Sequence, residues 1–173
     1  MSNTTTQQTI QISPKERNIK IQMALISWTM IALITYFVIQ PLFGIFAKPK
    51  YIIDITCFCV IFLAYIRYIF MLPTTFLAYM QRTKIVLIFL SIPLVFYTIQ
   101  SVNDFESFFG DDGMSSFENF FVEGLSFTKQ QEAMAYAKEV IFFLGVGVVF
   151  ASLALSVRML KSYWRVYNNT GTV

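Results

Sequence analysis

The chain contains no histidine at all. That single absence excludes His-ligated haem, most His-containing metal sites, Ser-His-Asp triads and phosphohistidine chemistry. Cysteine is almost as scarce. Only Cys57 and Cys59 occur, two positions apart, where helical geometry turns them to nearly opposite sides and forbids a mutual disulfide. They read as packing residues rather than as half of a metal pair. Charge is scarce too. Asp, Glu, Lys and Arg make up 13% of the 173 residues, against about 25% in an ordinary soluble domain. No P-loop, Gly-rich dinucleotide turn or nucleophile elbow is present. The reading is a non-enzymatic protein with no cofactor, no metal site and no nucleic-acid partner.

What the chain has instead is apolar length. It is 56% hydrophobic and 17% aromatic. Residues 21–47 carry no charge, residues 51–80 carry only Asp54 and Arg67, and residues 85–103 and 140–157 carry none. A helix of about 20 apolar residues crosses the hydrocarbon core of a bilayer. The expected fold is therefore all-α and polytopic, with four transmembrane helices at about 21–47, 52–72, 85–103 and 138–160. The first run is too long for a signal peptide and no small-x-small cleavage site follows it. A polar leader (1–18), a membrane domain (19–162) with an outer loop (103–137), and a tail (163–173) complete the division. Lipid is the first expected partner.

The net charge of +3 is unevenly spread. An even number of spans puts Lys15, Arg17, Lys20, Arg82, Lys84, Arg158, Lys161 and Arg165 on one side with the single acid Glu16. Lys48, Lys50, Lys129 and Lys138 face the other way among the remaining acids. Basic residues flanking spans mark the cytoplasmic side. Both termini are thus expected inside, in a multi-pass protein of the bacterial inner membrane.

Prolines punctuate the spans. Pro41 is expected to kink the outer end of the first helix, and the short turn at 47–51 makes the first two helices antiparallel neighbours. Pro73 is expected to turn residues 73–80 into a kinked continuation of the second helix near the inner surface, and Pro93 to bend the third. The outer loop is acidic and rich in phenylalanine. Ser115 and Glu118 have capping-box spacing, which predicts a short helix with Phe117, Phe120 and Phe121 on one face, lying on the membrane interface or over the bundle. Thr128 and Gln131 repeat the spacing and are expected to start the long fourth helix.

Arg67 is the candidate for a functional charge at membrane depth. A snorkelling or structurally paired side chain is the weightier reading, and a direct role the lesser one. Asp54 lies too far along the same helix to pair with it, about 20 Å at helical rise. Asp54 and Glu139 read as interfacial acids, since no cluster of acids marks an ion path. In the fourth span Gly147 and Ala151, and again Ser152 and Ser156, have small-xxx-small spacing. Packing within the bundle is the reading, with a homo-oligomer or a foreign partner as the alternative. Arg158, Lys161, Tyr163, Trp164 and Arg165 form an ordinary inner anchor.

The pattern I-R-x4-L-P-x2-F-L, with Arg67, Leu72, Pro73, Phe76 and Leu77, joins WTM in the first span and NDF after the third. Over roughly residues 25–105 this resembles the small inner-membrane entry-exclusion proteins of F-type conjugative plasmids. The resemblance implies a plasmid-encoded protein of the recipient's inner membrane. Such a protein blocks redundant DNA transfer by contact with the transfer apparatus. A second likeness competes: YIRYIFMLPTTFLAY and SLALSVRMLKSYWR are similar to the membrane input region of LytS-like sensor kinases, and imply a sensor or input subunit without a kinase. Architecture alone also suits an immunity protein against a pore-forming toxin, or a small pore-forming effector. Common to the first and second readings is contact with another protein, and Arg67, Pro73, Phe117, Phe120 and Phe121 are the candidate contact residues.

Overall fold

The computed structural model describes residues 14–46, 50–75, 77, 80–111, 121–122 and 124–168. They form four helices long and apolar enough to cross a membrane: α1 (Pro14–Ile39), α2 (Lys50–Met71), α3 (Gln81–Asp111) and α4 (Phe127–Tyr167). Among the described residues there is no strand, only an isolated antiparallel bridge between Phe46 and Phe121. Helices suit this sequence because in lipid every backbone donor must be satisfied within its own segment. The hydroxyls follow the same rule. Ser27, Thr29, Thr35, Thr56 and Thr98 each donate to the carbonyl four residues back, so their O–H groups are satisfied within the helix.

α4 is the central element. It packs along both α2 and α3, while α1 lies on α2. In its most apolar stretch 39% is buried, against 11% in α1 and in α3. The sequence carries the reason as a heptad-like stripe. Ala137, Ile141, Leu144, Val148, Ala151, Leu155, Met159 and Ser162 alternate by three and four positions, and all are buried. α3 answers with every seventh residue: Lys84, Ser91, Thr98 and Phe105 are buried in turn. Two facing seams of this kind hold an antiparallel helix pair along one line. The outward faces stay apolar, with Leu25, Ile26 and Phe37 on α1, Phe89 and Phe96 on α3, and Phe143 and Phe150 on α4 all exposed. That distribution suits lipid as solvent.

The helices outrun the spans expected from the apolar runs. α1 begins at Pro14 and gives way at Ile39 to a 3-10 turn, Gln40–Leu42, that contains Pro41. The expected kink is thus a helix end. α3 has 31 residues and α4 has 41, about 60 Å for the latter at helical rise. Residues 103–111 and 127–137, assigned above to the outer loop, are helical, because the buried faces continue past the uncharged runs through Phe105, Ala133 and Ala137. Pro93 sits on an exposed face inside α3, where the missing N–H leaves the helix unbroken.

Two further expectations are corrected. Among the described residues beyond Pro73 none continues α2 as an α-helix. The helix stops at Met71, and Leu72–Thr74 form a 3-10 turn in which the Thr75 amide and hydroxyl both donate to the Leu72 carbonyl. Leu72, Thr75 and Leu77 are buried there, so burial of this segment replaces helical continuation. Nor do Thr128 and Gln131 start α4. The helix begins at Phe127 after Ser126, whose carbonyl accepts from the Gln130 amide while the Gln130 side chain donates to the Leu125 carbonyl.

Candidate functional site

Arg67 is held between helices. Its guanidinium carbon lies 5.6 Å from the centroid of the Trp28 ring on α1 and 5.4 Å from that of Tyr68. Aromatic faces attract a guanidinium through their quadrupole but carry no net charge, so they do not neutralise it. Its Nε is buried and makes no hydrogen bond among the described residues. The side chain as a whole is partly exposed. The guanidinium lies against the Trp28 and Tyr68 rings, a contact of the structurally paired kind weighed above together with snorkelling. Trp28 is the residue the sequence could not announce, since nothing in its own neighbourhood points to a contact across 39 positions.

Pro73 is exposed and serves the turn after α2. Arg67 lies on the helix before that turn, so the two candidate residues occupy different elements.

At the opposite end of the bundle Phe121 is buried and stacked on Phe46, with ring centroids 5.4 Å apart and planes inclined by 28°. The backbone pairs beneath the rings, and the Val122 amide donates to the Ile45 carbonyl at 3.0 Å. Gly44 and Gly124, with φ of 74° and 90°, flank this bridge. Both lie in the left-handed region that only glycine enters freely, which lets the chain reverse on each side of the pairing. Residues 121 and 122 are therefore extended rather than helical, and the predicted interfacial helix does not include them. Phe117, Phe120 and the Ser115–Glu118 box lie outside the described residues.

The small residues of α4 serve contacts inside the bundle. A Cβ on Gly147 would meet the Phe62 ring of α2 at 2.8 Å, and one on Gly145 would overlap the Val102 side chain of α3. Ala151 and Ser152 are buried. Ser156 and Ser91 share a hydrogen bond of 2.9 Å between α4 and α3. The expected close approach is thus present, with two different helices on two faces.

Lys84, one of the basic residues counted on the inner side, is fully buried and donates to the Ser162 hydroxyl at 2.8 Å. The seven-residue spacing of Lys84, Ser91 and Thr98 is the signal that places it on the packed face. Tyr136 of α4 donates to the Val38 carbonyl at 2.9 Å, closing the outer end of α1 onto the bundle. Asp54 lies in the second turn of α2, whereas Glu139 lies well inside α4, twelve residues past its start at Phe127. Glu139 stands beside Lys138 and Glu106 at a groove of about 210 Å³ between α3 and α4. Among the described residues no group of three or more Cys, Asp or Glu side chains is placed to hold a metal ion.

No family model matches the chain, and no characterised protein or solved structure matches it either.

Proposed function

We propose that the chain is a multi-pass protein of the bacterial inner membrane, with both termini in the cytoplasm, that performs no catalysis and acts by contact with another membrane protein. Its specific role is entry exclusion, the blocking of redundant conjugative DNA transfer into a cell that already carries the plasmid. The observation that carries the contact reading is the Phe46–Phe121 clasp. It fastens the returning limb of an acidic, phenylalanine-rich outer segment to the α1–α2 turn. The two clasped rings are themselves buried, so they serve as the anchor, and the remaining phenylalanines of that segment are the proposed recognition surface, since aromatic anchors dominate contact energy. Phe117 and Phe120, proposed as contact residues, lie in the same acidic, phenylalanine-rich stretch of the sequence. The resemblance through Arg67, Leu72, Pro73, Phe76 and Leu77 supplies the specific role.

A mating assay tests this reading. Expression of the chain in a recipient lowers transfer from a donor carrying the matched transfer system and leaves an unrelated donor unaffected. Unchanged transfer from every donor whose system lies beside this gene overturns the proposal. A kinase-less sensor would instead alter transcription, and a pore-former would dissipate the membrane potential when expressed alone.

A further inference from the structure

Arg67 carries a charge at membrane depth that the described part of the chain does not balance. Its Nε is buried without a hydrogen-bond partner, and it forms no ion pair among the described residues. An ionised group in such a place is costly unless paired.

Two geometric facts bear on what pairs with it. First, the side chain leans the wrong way to reach the nearer surface. α2 ends at Met71, four residues past Arg67, yet a helical Cα–Cβ bond tilts toward the helix N-terminus. Escape to the headgroups past Met71 would need the stem to turn back on itself. Its guanidinium lies instead against the Trp28 ring of α1. Second, the neighbouring helix runs on beyond it. α1 and α2 are antiparallel, with Trp28 beside Arg67 and Thr35 beside Cys59. From Trp28, the uncharged part of α1 continues back to Ile21, about 10 Å further at helical rise. The guanidinium therefore sits within the uncharged length of α1, on a partly exposed flank where the Trp28 ring beside it is exposed as well.

A second copy of this chain cannot supply the missing charge in a parallel arrangement, which brings equal depths together. Asp54 lies 13 residues from Arg67 on α2, about 20 Å along the axis, and Glu16 is 12 residues from Trp28 on α1, about 18 Å. On α4, Gly147 is level with Phe62, which leaves Glu139 about 20 Å from the depth of Arg67. On α3, Asp104 comes nearest in depth among the acids of the described residues, about 13 Å away by the Lys84–Ser162 and Ser91–Ser156 register, so none of them is level with Arg67.

We propose that Arg67, backed by Trp28 and Tyr68, is a docking site for a carboxylate carried within a membrane helix of a different protein. This rests on partner contact as the mode of action and names the chemistry of that partner. It is an apolar span with one Asp or Glu at the depth of Arg67. The planar guanidinium accepts a carboxylate in a two-pronged, charge-assisted pair, and the aromatic faces hold the fork in place before the partner arrives.

The test uses the full chain reconstituted in phosphatidylcholine vesicles with a fluorescent, single-span leucine-rich peptide. The peptide bears one aspartate at matched depth or leucine in its place, and association is read by energy transfer. The aspartate peptide is expected to bind about tenfold more tightly than the leucine control. Arg67→Leu abolishes that preference and Arg67→Lys retains part of it. Arg67→Glu transfers the preference to a peptide bearing lysine. Circular dichroism of each variant establishes that it is folded. Equal binding of both peptides to the wild-type chain overturns the proposal. So does a preference that survives Arg67→Leu, or one that vanishes when phosphatidylglycerol is added, which would assign the site to a lipid phosphate. The measurement is independent of mating, so the docking site and the entry-exclusion role can each fail without the other.

Discussion

Lys84 at the start of α3 and Ser162 near the end of α4 are both buried, and the lysine ammonium donates to the serine hydroxyl at 2.8 Å. A buried donor that loses its acceptor costs about 1–3 kcal/mol. Ser162→Ala removes one hydrogen bond of this ammonium and is expected to destabilise the bundle by at most about that amount in unfolding measurements in detergent. Lys84→Met keeps the volume and removes the charge, and is expected to be neutral or stabilising. Once Lys84 is methionine, Ser162→Ala should cost little more. Full additivity of the two changes would mean that the pair does not act as a unit.

Gly145 and Gly147 offer a paired comparison on one helix. A methyl at Gly147 meets the Phe62 ring edge, and a methyl at Gly145 meets the β-branched Val102. Both side chains are partly buried, but valine has one strongly preferred rotamer in a helix and yields little, whereas the Phe62 ring can turn about its side-chain torsions. Gly145→Ala is expected to cost about 1–3 kcal/mol, the range for overpacking, and Gly147→Ala less. Thermal unfolding of the two variants in detergent measures the difference. A larger loss at Gly147 would show that Phe62 is the more rigid neighbour.

The fold was legible where its cause was local. Uncharged length alone located four helices, because the backbone requirement in lipid depends only on composition over a window. It mislocated the helix ends because packing continues past the apolar runs, on faces such as Phe105 and Ala133. The seam of α3 was written in the sequence at intervals of seven, yet a search for apolar periodicity passes over a face made of Lys84, Ser91 and Thr98. Arg67 could be singled out as a charge in an apolar run. Its companion Trp28 and the clasp of Phe46 on Phe121 join residues far apart in the chain, and no single-segment pattern encodes such pairs.

Orientation is checked by reporter fusions. Removing buried Lys84 from the set of surface charges leaves seven basic residues on the proposed inner side and four on the outer, so the bias persists. Fusions after residues 20, 82 and 173 are expected to read cytoplasmic, and one after residue 112 external. An external carboxy terminus would break the four-span arrangement.

The clasp of Phe46 and Phe121 yields the most direct test, because it joins geometry to compartment. Residues facing each other across an antiparallel bridge have Cα atoms about 4.5–5.5 Å apart, inside the range a disulfide spans. With Cys57 and Cys59 first replaced by alanine, Phe46→Cys and Phe121→Cys together are expected to cross-link in intact cells, since this end of the bundle is proposed to face an oxidising space. Mobility on non-reducing gels after thiol blocking reads the result. The variant Phe46→Cys with Phe105→Cys serves as the control, because Phe105 shares the same core without being paired across the bridge. Cross-linking that appears only after addition of an oxidant to permeabilised cells would place the clasp on the reducing side and reverse the orientation. Failure to cross-link under either condition would remove the clasp itself. The single substitution Phe121→Ala forfeits the stacked pair, worth about 0.5–1.5 kcal/mol beyond its burial. It is expected to weaken exclusion while the protein still accumulates in the membrane.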